Sequence, residues 1–104
     1  MTEATAEAGS YVRIVTIDVP DDQWEQVTGF WASKGRALIL SQPGAVRAEA
    51  YRSAPGELSV WFEWDSPESA RVFREAPEHD AFGRGMRTPA EQVKGRQEWR
   101  RIPA

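Results

Sequence analysis

The sequence predicts an α+β fold, and three observations carry that prediction. Several short stretches rich in β-branched and aromatic residues alternate with period two, as half-buried strands do. Longer stretches between them repeat their apolar residues at helical spacing. Turn residues (Pro20-Asp21, Pro43-Gly44, Pro55-Gly56, Ser66-Pro67) fall where one period gives way to the other.

Residues 1–10 are polar, small and acidic and read as a disordered tail. Residues 11–104 then form a single domain. Tyr11–Val19 is rich in β-branched residues and predicts a strand with two apolar faces. Tyr11, Val15, Ile17 and Val19 share one face, and Val12 and Ile14 the other. Pro20-Asp21-Asp22 ends this strand and caps a helix, with Asp22 and Glu25 at capping-box spacing. The helix runs to about Leu40, and Trp24, Val27, Trp31 and Leu38 mark its buried face. Gly29 and Gly35 weaken it by about 1 kcal/mol each; they either permit close packing or bend it.

Gln42-Pro43-Gly44 is a turn into a second strand, Ala45–Arg52. Ser53–Gly56 connects it as a hairpin to a third, Glu57–Trp64. Leu58, Val60, Phe62 and Trp64 share one face of that strand, with Trp61 on the other. Asp65 or Ser66 is placed to accept from the free amides of the next helix, and Pro67 suits its first position. Glu68 completes capping-box spacing with Asp65. The helix over 66–75 turns Ala70 and Phe73 inward, with Val72 a third candidate. Pro77 restarts a short helix to about Arg87, with Phe82 and Met86 on one side; Gly83 and Gly85 make it the weakest helix. Gln92–Ile102 is a polar last strand carrying Val93, Trp99 and Ile102.

The order βαββαβ is ferredoxin-like, with an antiparallel sheet. Helices cover one face of such a sheet. Large apolar groups on both faces of the first and third strands would leave a patch in water. Pairing two sheets face to face removes it, so a homodimer is expected.

Composition narrows the function. A net charge of −3 over 104 residues argues against nucleic acid, which calls for a basic surface. No cysteine is present, which excludes disulfides, thiol catalysis and Cys-based metal sites. No stretch approaches the ~20 apolar residues of a membrane span, and the first ten residues lack the apolar core of a signal peptide. A cytoplasmic protein with no membrane partner is the expectation.

One run stands out: Glu63-Trp64-Asp65-Ser66-Pro67-Glu68, followed about three helical turns later by Pro77-Glu78-His79. It holds a large aromatic where sheet becomes helix, and it resembles the antibiotic biosynthesis monooxygenase family of small dimeric α/β barrels. The resemblance spans roughly residues 11–102. It implies an oxygenase with no metal and no organic cofactor, acting on electron-rich aromatic polyketides such as anthrones and hydroquinones in secondary metabolism. There the deprotonated substrate itself reduces molecular oxygen. The protein supplies a dry pocket and groups that stabilise the enolate.

By that resemblance Trp64 matches the family's pocket tryptophan, although an aromatic there also fills core. Arg84, about twenty residues on, falls where some members place a pocket arginine, and its fixed charge suits a phenolate or enolate; a solvated helix arginine is the plainer reading. His79 is the one side chain titrating near neutrality unaided, which makes it the general-base candidate, or else a capping or interface residue. Trp24, Trp31, Val60, Phe62 and Phe82 either line an aromatic-walled pocket for a flat ligand or make an ordinary core. Tyr51, on the face of strand two that also carries Glu49, is placed to donate a hydrogen bond into a cavity.

The chain departs from the family at two positions. Anthrone-oxidising members carry an asparagine where Val60 stands, and a tyrosine where Ala70 stands. Haem-degrading relatives need an asparagine on strand one and a histidine near Gly83; this sequence contains no asparagine, so haem degradation is disfavoured. Two other functions remain open: a cyclase or isomerase that guides a polyketide without oxygen, and a ligand-binding accessory dimer.

Overall fold

The computed structural model describes residues 10–86 and 93–100. The order is β1 (Tyr11–Asp18), α1 (Asp21–Phe30), a π-helical turn (Trp31–Gly35), α2 (Arg36–Leu40), β2 (Ala45–Ala54), β3 (Glu57–Trp64), α3 (Pro67–Arg74), α4 (Pro77–Met86) and β4 (Val93–Arg100). The four strands form one antiparallel sheet in the order β2-β3-β1-β4. This is the ferredoxin-like α+β arrangement. Of the expected tail, residues 1–9 lie outside the described region; Ser10 is tied down, its hydroxyl donating to Glu63. The outer ends expected for the last helix and strand, Arg87, Gln92 and Ile102, also lie outside it.

The alternation in β1 and β3 decides what the sheet buries. Tyr11 pairs with Trp64, Val15 with Val60 and Ile17 with Leu58, and all face the helices, where most sit in one buried cluster. From the helices, Val27, Ile39, Ala70, Phe73, Phe82 and Met86 complete it. Val72 is 47% exposed, which corrects the expectation of an inward Val72. Two residues on from Ala70 is about 200° round the helix, hence the far side. Ile39, not named from the sequence, is 1% exposed.

The long first helix is interrupted rather than bent at random. The π turn starts at Trp31 and inserts one extra residue into the ladder. Gly35 is its last residue, and a Cβ there would meet Phe30 Cε2 at 3.0 Å and Phe82 Cε1 at 3.3 Å. Gly85 on α4 approaches the same Phe30 ring, with Cε2 2.5 Å from where its Cβ would stand. Two glycines thus let α4 close on the π turn around one phenylalanine. Gly29 has nothing within 4 Å, so close packing explains Gly35 alone of the helical pair.

The caps differ from the expected ones. Pro20 is the N-cap of α1, with no side-chain cap bond, so Asp22 and Glu25 form no capping box; both aspartates lie inside the first turn and stabilise it through the helix dipole. At α3, Ser66 is the cap: its Oγ accepts from the Ser69 N–H at 3.2 Å. Glu68 turns to Arg71 instead of reaching back, and Ser69 Oγ donates to Asp65 Oδ1 at 2.5 Å. β2 runs two residues further than expected, to Ala54, leaving Pro55-Gly56 as the turn. It is an edge strand, and Arg36 Nε donates to its Ala48 carbonyl at 2.9 Å, one way of blunting an open edge.

Candidate functional site

Two regions hold the candidate residues. The first is a chain of aromatic rings between sheet and helices. Trp64, 1% exposed, stacks at a tilt on Phe73 with ring centroids 5.4 Å apart. Phe73 in turn meets the His79 ring edge-on at 5.3 Å. Phe82, one turn beyond His79 on α4, contacts Phe62 at 5.7 Å, Trp31 at 6.1 Å and Phe30 at 6.3 Å. The strand end, the Ser66 cap and Pro67 fix where α3 begins, and hence where Phe73 lies over Trp64.

His79 is half-buried, and its Nδ1 is 4.0 Å from Asp80 Oδ1, beyond a hydrogen bond. Its pKa lies below the usual 6.5: loss of hydration is the main cause, the nearby cations Arg13 and Arg74 add to it, and Asp80 opposes it. The imidazole is therefore neutral at pH 7 and able to accept a proton.

The sequence candidates do not all meet there. Trp64, Val60 and Phe62 are buried core on the helix side. Trp31 touches this region through Phe82. Trp24 packs under the Arg52 guanidinium, 5.0 Å from its ring centre. Arg52 pairs with Leu58, about 20 Å along β3 from Trp64. Arg84 is exposed, and five residues beyond His79 puts it about 140° away round α4. Within one chain these two are not brought together.

The second region is the helix-free face of the sheet. Tyr51 meets Trp61 edge-on at 5.9 Å, and Trp61 meets Trp99 at 5.7 Å. Tyr51 and Trp99 are 52% and 50% exposed. Beside them a small groove, open to solvent, is lined by Val12, Arg47, Glu49, Tyr51, Trp61, Phe62 and Glu63. Glu63 is 5% exposed and accepts an ion pair from Arg47 Nη2 at 3.3 Å.

Sequence reasoning passed over Glu63 and Arg13 as site residues. For Arg13 a signal existed: it is the single charge on the apolar face Tyr11, Val15, Ile17. For Glu63 the strand period alone put it opposite the core, and only the β2–β3 register shows that Arg47 lies beside it.

No protein-family model matches the chain, and no curated protein matches it in sequence. Solved structures do match its shape. A proposed antibiotic biosynthesis monooxygenase from Chloroflexus aurantiacus J-10-fl superposes with a TM-score of 0.70 at 20% identity, covering 92% of this chain and 96% of that one. One from Bordetella bronchiseptica gives 0.78 at 18% identity, over 90% and 98%. A conserved protein from Methanosarcina mazei Go1 gives 0.75 at 12% identity, over 94% and 98%. The chain has the antibiotic biosynthesis monooxygenase fold. Among the described residues no helix is long and apolar enough to cross a membrane.

Proposed function

We propose that this chain, which has the antibiotic biosynthesis monooxygenase fold, is a homodimeric, cytoplasmic, cofactor-independent oxygenase acting on an electron-rich aromatic substrate of the anthrone or hydroquinone class. The observation that carries it is His79: a neutral imidazole lying against Phe73, which packs on Trp64. A base on an aromatic wall is what deprotonation of an acidic aromatic C–H or O–H requires. The carbanion or phenolate then gives its electrons to oxygen. For an anthrone the balance is one CH2 plus O2 to one C=O plus water, with no further reductant. Phe73 backs the imidazole, with Trp64 behind it; Arg84, the cation that the resemblance implies for the anion, lies about 140° away round α4 and takes no part at His79 within one chain.

The helix-free face supports the dimer. Tyr51, Trp61 and Trp99 form an apolar strip beside mixed charges on Arg47, Glu49 and Glu63. A second copy would cover that strip and offer both signs of charge in return. A second reading, a ligand-binding dimer without turnover, is favoured by the 1% exposure of Trp64, which leaves that ring no free surface in the single chain.

Oxygen uptake by purified protein, treated with chelator, tests the proposal on a panel of anthrones, naphthols and hydroquinones. Protein-dependent uptake that falls in His79→Ala supports the oxygenase. Absence of uptake with tryptophan fluorescence still quenched by the same compounds overturns it in favour of the binding dimer or a cyclase.

A further inference from the structure

We infer that Arg13, oriented by Glu98, is the anion-anchoring group of the site at His79, and that it binds the oxyanion of a small aromatic phenolate, enolate or carboxylate. This rests on the reading of His79 as the centre of the site. The guanidinium comes from the sheet, beneath α4.

The register places Arg13. It pairs with Phe62 on one side and Glu98 on the other, so it shares the helix-facing side of β1 with Tyr11 and Val15. Phe62 contacts Phe82 on α4, and Tyr11 pairs with Trp64, whose neighbour Phe73 touches His79. Arg13 therefore lies under the turn of α4 between His79 and Phe82.

Its environment is unusual for an arginine. The side chain is 18% exposed, while its partner Glu98 is 54% exposed. One contact joins them, Nη1 to Glu98 Oε2 at 3.0 Å. Among the described residues Nε and Nη2 make no other bond, so one edge of the fork stays open to a ligand. A planar guanidinium with a free edge matches a carboxylate or phenolate oxygen. Arg13 and Arg74 act on His79 from β1 and α3, and Asp80 from α4 itself. Two cations, from two different elements, thus bear on the imidazole against the carboxylate of Asp80.

The chain has a single histidine, so His79 reports alone. The probe is 2-naphthoate, with neutral 2-naphthamide as its control, titrated against protein carrying isotope-labelled histidine. Naphthoate is expected to move the His79 resonance and to bind about tenfold tighter than the amide, the scale of one charge-assisted contact. Arg13→Gln is expected to abolish that preference and to raise the His79 pKa in the free protein; Arg84→Gln is expected to leave both alone. The proposal is overturned if Arg84→Gln removes the preference, or if Arg13→Gln keeps it. If Arg13→Gln does not fold, the wild-type comparison decides, since equal binding of the two probes overturns it. The readout is independent of turnover. Wild-type protein that takes up oxygen but binds the two probes equally would sink Arg13 and leave the oxygenase; wild-type protein that prefers naphthoate but takes up no oxygen would keep Arg13 and sink the oxygenase.

Discussion

Gly44→Ala would strike the junction that seats Trp64. Gly44, in the turn before β2, has φ of 85°, and its carbonyl accepts from the Asp65 N–H at 2.8 Å, one residue past Trp64. A Cβ there would stand 2.5 Å from Ser69 Cβ and 2.7 Å from Asp65 Oδ1. The positive φ costs alanine about 1–2 kcal/mol. Overlap with Ser69 and Asp65 adds about 1–3 kcal/mol, because α3 must shift to admit the methyl. The sum, about 2–5 kcal/mol, is a large share of the ~5–15 kcal/mol that holds a domain folded. Urea denaturation at fixed protein concentration measures it directly, and a fall of about 15 °C in Tm is the thermal counterpart. Gly29→Ala is the control: the site is helical, exposed and empty within 4 Å, so alanine should stabilise by up to about 1 kcal/mol. A Gly44→Ala protein as stable as wild type would refute the geometry assigned to this turn.

The remaining predictions concern the cap, the histidine and the open face. Ser66→Ala should cost about 1 kcal/mol while Glu68→Ala leaves the melting curve unmoved; the opposite ranking would restore the Asp65–Glu68 capping box. The pKa of His79 is depressed in the fold, so the unfolded chain binds more protons in the interval below about pH 6.5, and stability rises with pH through it. Urea midpoints followed from about pH 8 down to about pH 5 should fall more steeply in wild type than in His79→Gln; parallel curves would contradict this. Trp61→Asp should convert the dimer to monomer in sedimentation equilibrium, and a wild-type protein that already sediments as a monomer would remove the dimer altogether.

Local chemistry made much of this molecule legible in the sequence. Period-two alternation placed β1 and β3 and told their faces apart, because a strand has no freedom in which side consecutive residues point. The residues Ser66-Pro67 announced the start of α3 through one acceptor and one missing N–H. Ala70, Phe73, Phe82 and Met86 were legible as inward because burial follows the helical period. The capping boxes were not decided this way: two acidic residues at the right spacing compete with other partners, and Arg71 won Glu68. The π turn was illegible as well, and so was the packing of Phe30 against both Gly35 on its own helix and Gly85 on α4. The site divides along the same line. His79 stood out by its own pKa, a property of the residue type. Tertiary packing alone decided that its ring meets Phe73 and that Arg13 approaches from the sheet. Those depend on strand register and on how α4 lies across β1, contacts between residues far apart in the chain, on which no local pattern bears.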